Sequence, residues 1–353
     1  MKPPLHYRLL KGYVKAGLSI YFKKWQNENT HNIPAEGPFI FVANHQNAFL
    51  DALLVVCGIK RNPWFLARGD VFNKGWVNTL LTFCRIKPVF RFRDGHSSMR
   101  KNERIMNETV ELLRKGECVL LFGEGNHNQP WTTRNLQKGF AHLAFQYMEK
   151  TQSDIAIIPV GIHYENHDDF RSRVLVDYGK PISMMEVTKN IPNHREKFGI
   201  VQSYVAKKLQ ALILTLPLDD NYEARKNFLL QNRVFKEDMT EQLNADRQLM
   251  DAWTISSKGI SKKKSSPFRW FNPLYLYGRI MHFIPQSIID YVVKNKIKDD
   301  QFIGSIKLTM GIFIIPLYYL VITLLFFLIF GPLWTIAFLI SLPLGGLFAF
   351  SQD

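Results

Sequence analysis

The chain has 353 residues, with 45 Lys and Arg against 30 Asp and Glu, and so a formal net charge of +15. Hydrophobic residues make up 46% of it, which excludes a disordered protein, and its length allows one large domain with appended segments. The three cysteines, Cys57, Cys84 and Cys118, contain no Cys-x-x-Cys pair, which excludes a disulfide scaffold or a thiolate zinc site and indicates a reducing compartment.

The N-terminal segment, residues 1–30, is predicted to contain a basic amphipathic helix on a membrane surface. Residues 5–25 interleave apolar side chains with Lys and Arg, as in helices that lie among lipid headgroups. A helix packed on the domain fits the pattern equally well. In the membrane-surface interpretation the interfacial aromatic residues are Tyr7, Tyr13, Tyr21 and Trp25.

Residues 31–216 alternate short apolar runs with stretches of helical periodicity. Six runs predict buried strands: Phe39–Ala43, 64–67, 87–90, 119–122, 155–160 and 174–178. Three stretches between them predict helices: 51–57, 99–115 and 135–148. The alternation predicts an α/β domain in which helices flank a mixed, largely buried sheet, with the chemistry on its loops.

The first chemical motif follows the strand Phe39–Ala43 and contains His45 and Asp51. A histidine at the end of a strand can take a proton from a hydroxyl group, and a carboxylate can fix its tautomer. If residues 45–51 were all helical, the two side chains would lie about 240° apart, at about 100° per residue. A loop must therefore intervene, with Asp51 in or near the first helical turn. The alternative is a polar helix start in which Asp51 is a cap.

Two further motifs suit an anionic ligand. Gly123, Glu124 and Gly125 end a buried strand, and glycines on both sides of a glutamate permit a tight turn whose backbone amides can approach a phosphate. Arg91 and Arg93 follow another strand and can pair with an anionic headgroup.

The fourth motif is a strand with an internal proline, Pro159, which predicts an edge strand or an irregular strand end. Beyond it, His163 and His167 with Asp168 and Asp169 could ligate a metal, but the pattern is more typical of a polar loop, and no metal is expected.

Residues 217–300 are predicted to form a charged helical region and a basic linker. Helical character runs over 219–253, and a Ser- and Lys-rich stretch follows at 256–267. Three lysines of that stretch would be attracted to anionic lipid headgroups: Lys262, Lys263 and Lys264.

Residues 301–353 are predicted to form a transmembrane helical hairpin. No charged residue occurs over 308–352, which is long enough for two crossings at about 20 residues each. Gly331 and Pro332 divide the stretch into helices at 308–330 and 333–350. Four lysines precede it and predict a cytoplasmic location for the preceding domain: Lys294, Lys296, Lys298 and Lys307.

In this order and spacing, the four motifs resemble those of the glycerolipid acyltransferase family, which includes 1-acylglycerol-3-phosphate and glycerol-3-phosphate acyltransferases. The resemblance covers about residues 35–185. The family separates its His and Asp by four residues, whereas five separate His45 from Asp51 here, and Gly123 stands where the family has Pro before the glutamate.

The resemblance implies an O-acyltransferase that moves an acyl group from acyl-CoA or acyl carrier protein to a glycerol-phosphate acceptor in phospholipid synthesis. His45 would be the general base and Asp51 would orient it. The implied substrate-binding residues are Asn44, Arg91, Arg93, Gly123, Glu124, Gly125 and Pro159. No cofactor, metal or covalent acyl-enzyme is implied, and the expected partners are the bilayer and the two substrates.

Two other functions stay open from the sequence. The five-residue spacing suits a non-catalytic membrane-surface protein that keeps the fold and binds lipid or a partner. The charge of +15 could indicate nucleic-acid binding, but the basic residues are spread along the chain near membrane-like segments, so no nucleic-acid partner is expected.

Overall fold

The computed structural model describes residues 3–68, 75–89, 96–254 and 272–350. Arg91, Arg93 and the predicted linker with its three lysines lie outside these residues. The strands are β1 Lys24–Glu28, β2 Phe39–Ala43, β3 Trp64–Arg68, β4 Ile86–Val89, β5 Cys118–Phe122, β6 Ala156–Tyr164, β7 Arg173–Tyr178 and β8 Ile182–Ser183. The helices are α1 Leu5–Tyr21, α2 Ala48–Gly58, α3 Gly75–Phe83, α4 His96–Arg114, α5 Gly139–Thr151, α6 Met184–Thr188, α7 His194–Gln210, α8 Tyr222–Asn232, α9 Met239–Asp251, α10 Pro273–Met281, α11 Phe283–Lys296 and α12 Ile303–Phe350.

The described strands form one mixed sheet in the order β1-β7-β6-β2-β5-β3-β4, with β8 beside β6. β2 pairs in parallel with both β5 and β6, whereas β6 pairs antiparallel with β7. The predicted mixed sheet flanked by helices is thereby confirmed. The sequence pattern missed β1, which is polar, and β8, which has two residues.

The sheet separates two apolar layers, and β2 shows how the sequence builds them. All five residues of β2 are buried, and successive side chains of a strand point to opposite faces. Phe39 and Phe41 pack in the layer that contains α2, whereas Ile40 and Val42 pack in the layer that contains α5 and α7. A strand covered on both faces needs the continuous apolar run that its sequence has.

Pro159 corrects the prediction of an edge strand or an irregular end. β6 lies inside the sheet, and Pro159 is paired with Val42 of β2. Its carbonyl accepts a hydrogen bond from the backbone N–H of Gly179 at 2.8 Å, so its missing N–H would point to the same side, toward β7 and β8. On that side β6 changes its partner from Ile182 to Tyr178, and no ladder hydrogen bond is lost.

Helix α1 is docked on the domain along one face. Tyr7, Leu18 and Tyr21 are buried, which corrects the expectation that both tyrosines lie at a membrane interface. The predicted helix also ends earlier, at Tyr21, because Trp25 belongs to β1. The opposite face leaves large apolar side chains exposed: Leu5, Leu9, Tyr13 and Ile20.

The C-terminal helix is the apolar element of the chain. Among the described residues, one helix is long and apolar enough to cross a membrane, Asp300–Phe350, with a mean hydropathy of 2.7. The predicted break is present at Gly331, whose φ and ψ are 76° and 178°. The rings of Phe326 and Phe338 stack with centroids 4.2 Å apart across it, whereas a straight helix would separate them by about 18 Å.

Candidate active site

Two loops meet at the carboxyl ends of three neighbouring parallel strands, where open α/β sheets bind ligands. The first, residues 44–51, follows β2 and is called the dyad loop below. The second, residues 123–134, follows β5 and is called the glutamate loop. The two loops are joined by a hydrogen bond of 2.9 Å from the backbone N–H of Asn128 to the carbonyl of His45.

The structure brings His45 and Asp51 together despite the five residues between them. His45 Nδ1 lies 2.8 Å from Asp51 Oδ2, and Asp51 stands in the first turn of α2, as predicted. Ala48 adopts φ of 43°, in the left-handed region. That conformation is rare for a residue with a Cβ and costs on the order of 1–3 kcal/mol, so this strained residue is where the loop makes its turn into the helix.

Asp51 is fully buried, and both of its carboxyl oxygens accept hydrogen bonds. Oδ2 accepts from the backbone N–H groups of Gln46 and Asn47, each at 2.8 Å, in addition to His45. Oδ1 accepts from the hydroxyl of Tyr164 at 2.6 Å. This set of four donors holds the carboxyl group in one orientation, and the hydroxyl comes from the last residue of β6.

The hydrogen bond at Nδ1 determines what the ring of His45 can do. Because Asp51 Oδ2 accepts here, Nδ1 carries the proton, and Nε2 is the basic nitrogen of the neutral ring. The ring stacks on Phe122 with centroids 3.9 Å apart, and its side chain keeps 14% exposure. The ring of His127 stands edge-on to it at 5.4 Å. The geometry gives a fixed histidine that can accept a proton at Nε2.

The glutamate loop contains an ion pair that the sequence did not indicate, between buried Glu124 and partly exposed Arg134. Arg134 donates to Glu124 Oε2 from Nη2 at 2.9 Å and from Nε at 3.3 Å. Burial raises the pKa of Glu124, and the guanidinium of Arg134 opposes that rise. Arg134 retains 29% exposure, so its outer face is accessible to solvent.

The backbone of the glutamate loop corrects one expectation. The N–H of Gly123 donates to Ala43 at 3.0 Å, and the N–H of Gly125 donates to Phe122 at 3.1 Å, so neither amide is available to a phosphate. Gly125 has φ of 71°, which a glycine adopts readily. A Cβ at Gly123 would lie 2.8 Å from Val42 Cγ1. The two glycines thus shape the turn.

Two other residues expected to bind substrate are placed in the scaffold instead. Asn44 is fully buried, and its amide exchanges hydrogen bonds of 2.9 and 2.8 Å with the backbone of Ile162. Pro159 is buried inside the sheet. Asn44 ties the start of the dyad loop to β6, which explains why an asparagine precedes His45.

Comparison with protein families identifies the domain that carries these loops. Residues 24–163 match the family model described as Acyltransferase. The chain carries an acyltransferase-family domain. The match includes His45, Asp51 and the glutamate loop, and it confirms the resemblance predicted from the four motifs.

Individual relatives agree with this family. The chain is 29% identical over 147 residues to the chloroplastic 1-acyl-sn-glycerol-3-phosphate acyltransferase LPAT1 of Arabidopsis thaliana, covering 41% of this chain and 38% of that protein. It is 25% identical over 167 residues to glycerol-3-phosphate O-acyltransferase 2 of Saccharomyces cerevisiae, covering 39% and 22%. The chain thus spans well under half the length of these relatives.

Among solved structures, the chain is similar to the 1-acyl-sn-glycerophosphate (LPA) acyltransferase PlsC from Thermotoga maritima, with 20% identity and a TM-score of 0.42. That alignment covers 58% of this chain and 79% of that structure.

The acyltransferase domain places its polar residues close to the dyad from distant parts of the sequence. Tyr164, His127 and Arg134 were not singled out from the sequence, because no local pattern marks them. Tyr164 is the last residue of an apolar strand, so its sequence position does not distinguish it from a core residue. Arg134 lies ten residues after Glu124, its ion-pair partner. Burial lowers the pKa of His127, and the nearby ring of His45 lowers it further.

His163 and His167 take structural places near this site. Burial lowers the pKa of His163 to about 3 and that of His167 to about 4, so both are neutral at pH 7. Nε2 of His167 lies 3.3 Å from the side-chain oxygen of Gln46. Within residues 3–68, 75–89, 96–254 and 272–350, no three His, Cys, Asp or Glu side chains form a group that could hold a metal ion.

Proposed function

We propose that the protein is a membrane-bound O-acyltransferase that moves a fatty acyl group from an acyl thioester to a hydroxyl of a glycerol-phosphate acceptor, either lysophosphatidic acid or glycerol 3-phosphate. The observation that carries the proposal is the 2.8 Å contact between His45 Nδ1 and Asp51 Oδ2 in a family domain. The names of the relatives support the acceptor class.

In the proposed reaction, His45 Nε2 takes the proton from the acceptor hydroxyl as its oxygen attacks the thioester carbonyl carbon. The tetrahedral intermediate then collapses, its C–S bond breaks, and the leaving thiolate takes the proton from the imidazolium. The products are the new ester and the free thiol. No acyl-enzyme forms, and the reaction requires no metal or cofactor.

Asp51 and Tyr164 act on this reaction through His45. Asp51 keeps the proton on Nδ1, so that Nε2 faces the acceptor, and it stabilises the positive charge that forms on the ring. Because Tyr164 and two backbone N–H groups hold Asp51, the ring does not have to reorient during the reaction.

The acceptor phosphate is assigned to arginine side chains. By family resemblance Arg91 and Arg93 would pair with it, together with the glutamate loop. The exposed edge of Arg134 adds a candidate from the structure, because a guanidinium can hold a carboxylate and a phosphate at once through its five N–H donors.

We further propose that the apolar C-terminal helix is a membrane hairpin. The turn is at Gly331, and the ring of His282 contacts both Tyr319 and Phe350, one on each side of the break. Large apolar side chains are exposed along it, including Leu328 at 73% and Leu333 at 78%, as lipid-facing residues would be.

The domain would lie on the cytoplasmic face, against the bilayer. Lys294, Lys296 and Lys298 are exposed just before the apolar helix, which fits the excess of positive charge on the cytoplasmic side. The ring of Tyr13 on α1 lies 6.5 Å from that of Phe313 on α12, so the exposed apolar face of α1 continues that of the hairpin. The acyl donor would be acyl-CoA or acyl carrier protein loaded with an acyl group. The acyl chains of the donor and of a lysophosphatidic acid acceptor would lie in this lipid.

The test is an assay of purified protein in lipid nanodiscs with labelled acyl-CoA and either glycerol 3-phosphate or 1-acylglycerol 3-phosphate. His45→Ala is expected to lower turnover by about 10²–10⁴-fold, the usual contribution of a general base. The control is His31→Ala, at an exposed histidine remote from the site in the described fold, which should keep wild-type turnover.

The acceptor that is used by wild type and not by His45→Ala defines the reaction. If neither acceptor is acylated, or if His45→Ala matches wild type, the proposed reaction is wrong. In that case binding of lipid without turnover would favour the membrane-surface binding protein considered from the sequence.

A further inference from the structure

The start of the apolar helix reaches into the dyad loop. Ser305, the third residue of α12, is fully buried, and its hydroxyl donates to the carbonyl of Asn47 at 2.9 Å. The same oxygen accepts from the backbone N–H of Leu50 at 3.0 Å. Both partners lie between His45 and Asp51, although Ser305 lies 255 positions after Leu50 in the sequence.

This hydroxyl performs the task of a helix cap. The first N–H groups of a helix have no partner inside it, and a side-chain oxygen of the residue before the helix commonly accepts from one of them. Here the residue before α2 is Asn47, whose side chain makes no such bond and donates instead to the carbonyl of His167 at 2.7 Å. The N–H of Leu50 is shared between the carbonyl of Asn47 and the hydroxyl of Ser305, each at 3.0 Å, so the side-chain oxygen of the cap comes from α12.

The close approach depends on the residue beside Ser305. A Cβ at Gly304 would lie 2.6 Å from the carbonyl oxygen of His167 and 2.7 Å from Asn47 Nδ2, so a glycine is needed for contact at this point. One turn further, Lys307 donates from Nζ to the carbonyl of Asp168 at 2.8 Å. The first turn of α12 is thus fixed to the loops around the site by several contacts.

The dyad depends on the part of the loop that Ser305 holds. The N–H of Asn47 donates to Asp51, and its carbonyl accepts from the hydroxyl of Ser305. The next residue, Ala48, has the strained φ of 43°. A strained residue persists only where its surroundings fix it. Releasing Asn47 and Leu50 would let Ala48 relax, and Asp51 would then move with respect to His45.

We propose that Ser305 is a positioning residue for the His45–Asp51 dyad, so that the apolar helix that holds the protein in the membrane also sets the geometry of its active site. The role in turnover rests on the acyltransferase function proposed above. Ser305→Ala is expected to lower kcat about tenfold and to leave the KM for both substrates within twofold, because Ser305 is fully buried.

The experiment compares three variants in nanodiscs, each in wild type and in an Asp51→Asn background. Ser305→Ala removes the hydroxyl, and Ser305→Thr keeps it and should recover part of the lost kcat. Thr309→Ala is the matched control, since among the described residues its hydroxyl bonds only to the carbonyl of Ser305, one turn back in the same helix. In the Asp51→Asn background, Ser305→Ala should lower kcat by less than twofold, because the geometry that it supports is already lost.

A second readout needs no substrate. In protein labelled with ¹⁵N-histidine, the Nδ1–H resonance of His45, assigned with His45→Ala, reports its hydrogen bond to Asp51. Ser305→Ala should weaken or shift this resonance, and Thr309→Ala should not. This result can hold even if wild type acylates neither acceptor, and the failure of the proposed function would then be seen separately.

Three results would overturn the positioning role. They are an unchanged His45 resonance in Ser305→Ala, equal kcat losses in Ser305→Ala and Ser305→Thr, or a tenfold loss that persists in the Asp51→Asn background. The last would show a general loss of folded protein, which thermal unfolding of the same samples would also detect.

Discussion

The dyad loop and the glutamate loop meet at one site but are held in different ways. The polar side chains of the dyad loop bond to other parts of the chain: Asn44 to Ile162, Gln46 to Pro130, Asn47 to His167 and Asp51 to Tyr164. The ion pair of the glutamate loop lies within the loop itself, with Glu124 buried and Arg134 partly exposed.

This difference suits two tasks in one reaction. A general base must keep its geometry through turnover, and a side chain locked by buried hydrogen bonds from rigid elements does so. A side chain that binds a ligand must instead have an exposed surface, from which a phosphate can displace water. We therefore expect changes around the dyad loop to lower kcat, and changes in the glutamate loop to raise KM.

Among changes to the residues that support the two loops, the largest effect is expected for Tyr164→Phe, which removes the hydroxyl that donates to Asp51 Oδ1 at 2.6 Å. A buried carboxylate oxygen is left without its partner, and a hydrogen bond to a charged group is worth about 1.5–3 kcal/mol. We expect kcat to fall by about tenfold or more, with KM unchanged, in the nanodisc assay.

The matched control is Tyr178→Phe. Tyr178 is also fully buried, but within the part of the chain that the structure describes its hydroxyl makes only long contacts, of 3.4 Å to the carbonyl of Val55 and 3.5 Å to Asn27. Its kcat should stay within twofold of wild type. Equal losses in the two variants would mean that any buried tyrosine hydroxyl matters, and the contrast between the loops would lose its basis.

A smaller effect, on KM and not on kcat, is expected for Arg134→Met. Loss of the guanidinium leaves Glu124 buried without the cation that opposes the rise of its pKa, and it removes a candidate phosphate ligand. We expect the KM for the phosphate acceptor to rise about fivefold and kcat to stay within twofold. Arg114→Met, at an exposed pair with Glu111 on α4, should change neither constant.

A fall in kcat with unchanged KM for Arg134→Met would contradict the assignment of binding to the glutamate loop. It would indicate that Glu124 and Arg134 act on the dyad instead, through the bond from Asn128 to the carbonyl of His45.

Most of the sheet could be predicted from the sequence, because its strands are apolar on both faces and carry their own signal. Five of the six predicted strands lie within two residues of the observed bounds, whereas β6 continues four residues past the predicted end, to Tyr164. The pattern failed where neighbours decide the outcome: polar β1 is a strand because β7 pairs with it, and Pro159 is tolerated because β6 changes partners beside it.

The site was predictable only in part, for a similar reason. His45, Asp51 and Glu124 follow strands in recognisable motifs, so their place at one edge of the sheet could be inferred. Their partners could not, since Arg134 and Ser305 reach them only through the fold. The five-residue spacing between His45 and Asp51 did not show whether their side chains could meet. The contact depends on the left-handed conformation of Ala48, which the spacing does not reveal.

The smallest effect is expected for substitutions of Ala48. Ala48→Gly removes the Cβ that disfavours φ of 43° but adds freedom to the unfolded chain, so we expect the free energy of unfolding to change by less than about 1 kcal/mol, with kcat retained. Ala48→Val places a β-branched side chain in the same conformation and should lose about 2 kcal/mol. Thermal unfolding and turnover of both variants measure these effects. If valine were tolerated as well as glycine, the left-handed turn would not be fixed by the fold, and the dyad loop would be no more rigid than the glutamate loop.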